Sequence, residues 1–74
     1  MKLLEILQDI HPQFDYEHSE DFFEDGFIDS FDLTRLIAAL EEEFGISIGG
    51  EELSAENFRN LSALQELLAR HGVE

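Results

Sequence analysis

Apolar positions recur with a helical period in three stretches of this chain and lose it in between. Leu3, Ile6, Leu7 and Ile10 fall at i, i+3, i+4 and i+7, which predicts a first helix over roughly Lys2 to Ile10. Pro12 ends it, because the residue before a proline avoids the helical region. Leu33, Leu36, Ile37, Leu40 and Phe44 predict a second helix from about Ser30 to Phe44, with Asp29 or Ser30 as its cap and Gly45 as its stop. Leu61, Leu64, Leu67 and Leu68 predict a last helix that Gly72 closes, with Ser62 and Gln65 at capping-box spacing. Between these lie a short extended loop, Ile46 to Gly50, and a brief third helix that Ser54 is placed to cap and that runs through Phe58.

From His11 to Asp29 there is no sustained period, yet the stretch is rich in apolar and aromatic side chains, with Phe14, Tyr16, Phe22, Phe23, Phe27 and Ile28. A structureless loop this long is uncommon in a compact domain, so the segment is expected to lie packed over the helices, with a helical turn at Asp21 to Asp25. Gly26 is expected to take a backbone conformation that other residues resist. With no candidate strand pair, the pattern predicts an all-α fold: a four-helix bundle with a long loop between helices 1 and 2 and a short third helix. The length is that of a single domain, residues 1–74.

The second helix carries an anomaly. At about 100° per residue, Phe31 points away from the centre of the apolar stripe, so a large aromatic stands on the solvent side beside Ser30. Arg35 and the small Ala38 share that face. Asp29 and Asp32 flank the serine, while Glu41 and Glu42 lie in the last turn, where the helix dipole favours cations rather than acids. A serine at a helix N-terminus, next to an exposed aromatic, has the makings of a modification and docking site.

Composition narrows the choice. The net charge of −14, from 18 acids against Lys2, Arg35, Arg59 and Arg70, repels nucleic acid and anionic membranes and suits basic patches on proteins. An apolar share of 43% with seven Phe is too high for a disordered acidic tail. The absence of cysteine removes disulfides and Cys-based zinc sites. The N-terminal apolar run is broken by Glu5, Gln8 and Asp9, so neither a signal peptide nor a span is expected, and the expected setting is cytoplasmic.

Taken together, Asp29-Ser30-Phe31-Asp32, the helix reading L-x-x-L-I-x-x-L-E-E-E-F, and the length and acidity resemble the phosphopantetheine-dependent carrier proteins over essentially the whole chain. The resemblance implies that Ser30 accepts a 4′-phosphopantetheine arm from coenzyme A, making a phosphoprotein whose arm carries an acyl or aminoacyl group as a thioester. It implies a non-catalytic protein served by a phosphopantetheinyl transferase, an adenylating ligase or acyltransferase, and an acceptor enzyme. A monomer is expected, with no nucleic acid and no membrane insertion. Asp29, Phe31, Asp32, Arg35, Ala38, Glu41 and Glu42 become the candidate partner-binding residues. Fatty-acid carriers usually read G-A-D-S-L, whereas here Gly26 stands one place further from the serine, a spacing similar to the D-alanyl carriers. Arg35 also occupies a position where fatty-acid carriers commonly have glutamate. The D-alanyl type usually has Met where this chain has Phe31. A stand-alone aminoacyl carrier of the D-alanyl kind is therefore expected in preference to a fatty-acid or polyketide carrier.

Rival readings of the same residues are weaker. Residues 21–32 can be laid on a calcium-loop pattern, but position three is Phe23 and position twelve is Asp32 instead of a bidentate glutamate. His11, His18 and His71 are scattered without a metal-ligand spacing, so no metal site is expected. A Ser-His-Asp triad on Ser30 would need a substrate pocket that so small a bundle has little room for. Outside the carrier class, the remaining alternative is an unmodified acidic interaction module or calcium binder.

Overall fold

The computed structural model describes residues 2–73. Four α-helices, α1 (Lys2–Ile10), α2 (Ser30–Phe44), α3 (Ala55–Phe58) and α4 (Leu61–Arg70), are joined by loops with 3₁₀ turns at Tyr16–His18 and Gly50–Glu52. No strand occurs among the described residues, as the periodicity predicts. Two contacts set the direction of the first pair. Lys2 at the start of α1 reaches Glu43 at the end of α2 (3.0 Å), and His11 just past α1 reaches Asp32 at the start of α2 (2.9 Å), so the two helices are antiparallel.

The core is built from the stripes of α1, α2 and α4: Leu3, Ile6 and Leu7 meet Leu36 and Leu40 and then Leu64, Leu67 and Leu68. Burying each such side chain contributes about 1.5–3 kcal/mol. The α2 stripe is narrower than its five residues imply, because Leu33, Ile37 and Phe44 are only half-buried.

The long connection is folded against the helices, as expected of so apolar a loop. Tyr16 and Phe22 are fully buried, Phe14 stacks on Phe27 at 4.4 Å, and Tyr16 stands edge-on to both Phe22 and Phe27. The segment is tied to the α3–α4 junction by Phe22 N–H donating to the Arg59 carbonyl (2.5 Å) and by the Asn60 side-chain amide donating to the Glu20 carbonyl (2.9 Å). Asp21 to Asp25 does form one turn, closed by Asp25 N–H to the Asp21 carbonyl (3.0 Å). The 3₁₀ turn at Tyr16–His18 was not legible, since its one anchor, Tyr16, has no periodic neighbours.

Two cap assignments are corrected. The last helix begins at Leu61, and Asn60 caps it by accepting from Ala63 N–H (2.7 Å), so Ser62 and Gln65 do not form its capping box. Ser54 does precede α3, but its side chain makes no capping bond. No helix among the described residues is long and apolar enough to cross a membrane.

Candidate functional site

The site is made by the abrupt entry of the chain into α2. Gly26 takes φ +74°, a left-handed conformation that lets the chain turn so that Phe27 and Ile28 both donate N–H to the Phe22 carbonyl (2.8 and 3.2 Å). Ile28 then anchors in the core, and Asp29 follows in an extended conformation as N-cap. Its Oδ1 accepts from Asp32 N–H (2.8 Å), while Asp29 N–H donates back to Asp32 Oδ2 (3.3 Å), a reciprocal box in which both partners are aspartates.

Ser30 is the first helical residue and is exposed. Its hydroxyl makes no hydrogen bond within the described residues, and its carbonyl accepts from the Thr34 hydroxyl (3.2 Å). The amides of Ser30 and Phe31 open a helix of 15 residues with no acceptor outside it among the described residues. Phe31 is 76% exposed, the largest outward apolar side chain here, which agrees with the helical phasing.

The other candidate residues separate into two groups. Arg35, Ala38 and Glu42 are exposed and continue the Phe31 face along α2. Arg35 lies 4.0 Å from Asp32 Oδ1 and lines a surface hollow of ≈ 320 Å³ between α1 and α2, with Asp9 and Glu42. Asp32 and Glu41 are engaged elsewhere. The Asp32 side chain is turned inward, accepting from His11 Nε2 at 2.9 Å. Glu41 is half-buried and its Oε2 accepts from Ile48 N–H (2.9 Å), holding the loop after α2. Asp29 is spent on the cap.

Burial alone would raise the Asp32 carboxyl, but hydrogen bonds from His11 and from the Asp29 backbone outweigh it and hold it below the ordinary value. An ionised Asp32 only accepts, so the His11 Nε2 facing it carries the proton. Asp32 in turn is felt by Tyr16, whose hydroxyl is raised by burial and by that negative charge. His11 is the residue that sequence reasoning missed. Its signal was faint: a lone histidine between the last turn of a helix and Pro12.

The arrangement accommodates a phosphodiester. An exposed hydroxyl stands at a helix N-terminus with free amides nearby, the end of a helix that favours an anion, and Arg35 lies 4.0 Å from Asp32, one of the two flanking aspartates. It does not resemble a hydrolase triad, because His11 is bonded to Asp32 and not to Ser30. Nor are the carboxylates of residues 21–32 gathered as a calcium loop. Asp21 Oδ1 accepts from Phe23 and Glu24 N–H (2.9 and 3.1 Å), Asp25 accepts from the Ser19 hydroxyl, and Asp32 faces His11. Among the described residues no three His, Asp or Glu side chains are grouped as a metal site.

Comparison with curated proteins and with solved structures finds no match. Residues 1–68 match the family described as "Phosphopantetheine attachment site". With most of its length covered by that match, the chain belongs to the phosphopantetheine-attachment family, non-catalytic carriers whose cofactor is a covalently attached 4′-phosphopantetheine.

Proposed function

We propose that Ser30 is the attachment residue and that residues 1–74 act as one carrier domain for an aminoacyl group, of the D-alanyl kind. The observation that carries the assignment is the exposed, unbonded Ser30 hydroxyl at the N-terminus of α2, beside the outward Phe31. On modification, Ser30 Oγ bonds to the phosphorus of coenzyme A as the pyrophosphate linkage breaks. Adenosine 3′,5′-bisphosphate leaves, and the serine proton passes to a base of the transferase. The arm, when bound, supplies a thiol that carries the acyl or aminoacyl group as a thioester.

The aminoacyl subtype rests on two features. Gly26 sits four places before Ser30 and takes the positive φ that closes the turn, and Arg35 puts a cation on the face that a loading enzyme would meet. Phe31, Arg35, Ala38 and Glu42 are the residues proposed to dock the transferase, an adenylating ligase and an acceptor. A fatty-acid or polyketide cargo is the second reading.

Ser30→Ala is expected to fold, since its cap is Asp29, and to gain no mass when incubated with coenzyme A and a phosphopantetheinyl transferase. The wild-type chain is expected to gain one arm. An arm retained on the alanine variant would place the attachment elsewhere, and a wild type that gains none would favour the unmodified interaction module.

A further inference from the structure

His11 stands at a junction. Its backbone N–H donates to the Leu7 carbonyl (3.1 Å) in the last turn of α1, and its carbonyl accepts from the buried Tyr16 hydroxyl (2.7 Å). Its ring stands edge-on to Phe14 at 5.5 Å, and Pro12 follows immediately. The His11 backbone is thus tied at both its N–H and its carbonyl, and Phe14 flanks the ring before it meets anything on α2. Its Nε2 then reaches Asp32 Oδ2 at 2.9 Å, the same oxygen that accepts the Asp29 amide (3.3 Å).

The cap of α2 needs such support. A capping box usually pairs Ser or Thr with Glu or Gln, but here both members are aspartates. Two carboxylates share the first turn, and an arm on Ser30 would add a phosphodiester charge to them. Arg35, at 4.0 Å from Asp32 Oδ1, is farther away and more exposed than His11, whose Nε2 is at 2.9 Å. Without a donor from the α1 side, the Asp32 carboxylate would gain by turning to water. It would then release Asp29 N–H and loosen the residues on either side of Ser30.

We propose that His11 is a positioning residue for modification at Ser30: by holding the Asp32 carboxylate inward it fixes the Asp29–Asp32 box and with it the orientation in which the Ser30 hydroxyl is presented. The proposal rests on the reading of Ser30 as the attachment residue. It predicts a specific split. Docking through the outward Phe31 face is left intact, so KM for the carrier holds, whereas misplacing the nucleophilic oxygen lowers kcat.

Two side chains that differ in reach test it. A glutamine amide can occupy the place of the imidazole Nε2, and an asparagine amide is too short. His11→Asn is expected to lower kcat for transfer from coenzyme A by a phosphopantetheinyl transferase about tenfold, the factor for losing a charge-assisted bond, with KM little changed. Amide-exchange protection at Asp32 in the unmodified chain is expected to fall by a similar factor. His11→Gln restores both. The control is the other part-buried histidine–carboxylate pair, His71 with Glu52 at 2.7 Å: His71→Asn is expected to leave kcat and the protection at Asp32 unchanged. Wild-type values in His11→Asn, a His11→Gln as impaired as the Asn variant, or an equal loss in His71→Asn would each overturn the proposal. Should His11→Asn lose its helical spectrum, the wild type decides. Its His11 Nε2–H proton is expected to be shielded from exchange in NMR, and a freely exchanging proton overturns the proposal. If no variant is modified at all, the Ser30 reading fails, and the protection at Asp32 still judges His11.

Discussion

The two faces of α2 are made from one continuous helix and obey opposite rules. The inner face places Leu36 and Leu40 at zero exposure, packed between α1 and α4. The outer face displays Phe31, with Arg35, Ala38 and Glu42 beside it and no described element covering Phe31. Hydrophobicity alone would put Phe31 inside with the leucines. Helical phase keeps it out, because moving it inward would rotate the leucines into water. An exposed phenylalanine that adds nothing to the core is therefore informative about function, whereas Leu36 and Leu40 are informative only about folding.

The largest effect that separates the faces is on stability. Leu40→Ala is expected to cost about 2–5 kcal/mol through lost burial and a residual cavity, read from urea denaturation. Phe31→Ala is expected to stay within about 0.5 kcal/mol and to slow modification by the transferase instead. Phe44 lies between them, half-buried on the wall of an apolar groove of ≈ 380 Å³ with Leu3 and Leu68, so its alanine variant should fall between the two. Equal losses at Leu40 and Phe31 would erase the distinction.

This contrast was legible in the sequence because it depends only on spacing. The boundaries of α1 and α2, the outward Phe31, and the stops at Gly45 and Gly72 all follow from local pattern. What sequence did not disclose depends on contacts between distant segments. The inward turn of Asp32 requires His11, 21 residues earlier, to be brought beside it by the antiparallel packing of α1 and α2. Asn60 outcompetes Ser62 as a cap because the helix starts where Asn60 is extended, and its amide also holds the Glu20 carbonyl across the molecule. Glu41 looks like one of three equivalent glutamates in a row, and only the path of the loop through Ile48 sets it apart.

Asp32 sharpens the comparison, since it lies in the first turn of α2 but faces inward. Its carboxyl is held below its ordinary value of 3.8, so the unfolded chain binds that proton at higher pH than the folded one. The stability it contributes is present above that ordinary value and is lost as pH falls through the lowered one. Glu52, held below its ordinary 4.5 first by the Gly49 amide and then by His71, behaves with the same sign. Thermal melts between about pH 6 and pH 2 are expected to show stability falling on the acid side, with a shallower fall in Asp32→Asn and in Glu52→Gln. Acid limbs unchanged from wild type in both variants would mean that neither carboxylate is held by the fold.

The smallest effect concerns the outer face and tests the choice of partner. Arg35 is the cation of that face, half-exposed and 4.0 Å from an Asp32 oxygen. A loading enzyme that presents acidic or neutral groups is favoured by it, and one that presents lysines and arginines to an acidic helix is disfavoured. Arg35→Glu replaces a positive charge with a negative one on a chain already at −14. It is expected to speed association with enzymes of fatty-acid synthesis about threefold at low salt and to slow loading by an aminoacyl-adenylating ligase by a similar factor. Both changes are expected to fade as ionic strength brings the screening length to about 8 Å. Loading rates for the two proteins, measured with each enzyme class across a salt series, give the answer. A wild type already as good a substrate for fatty-acid enzymes as its Glu variant would make Arg35 a neutral surface residue. The aminoacyl assignment would then rest on the position of Gly26 alone.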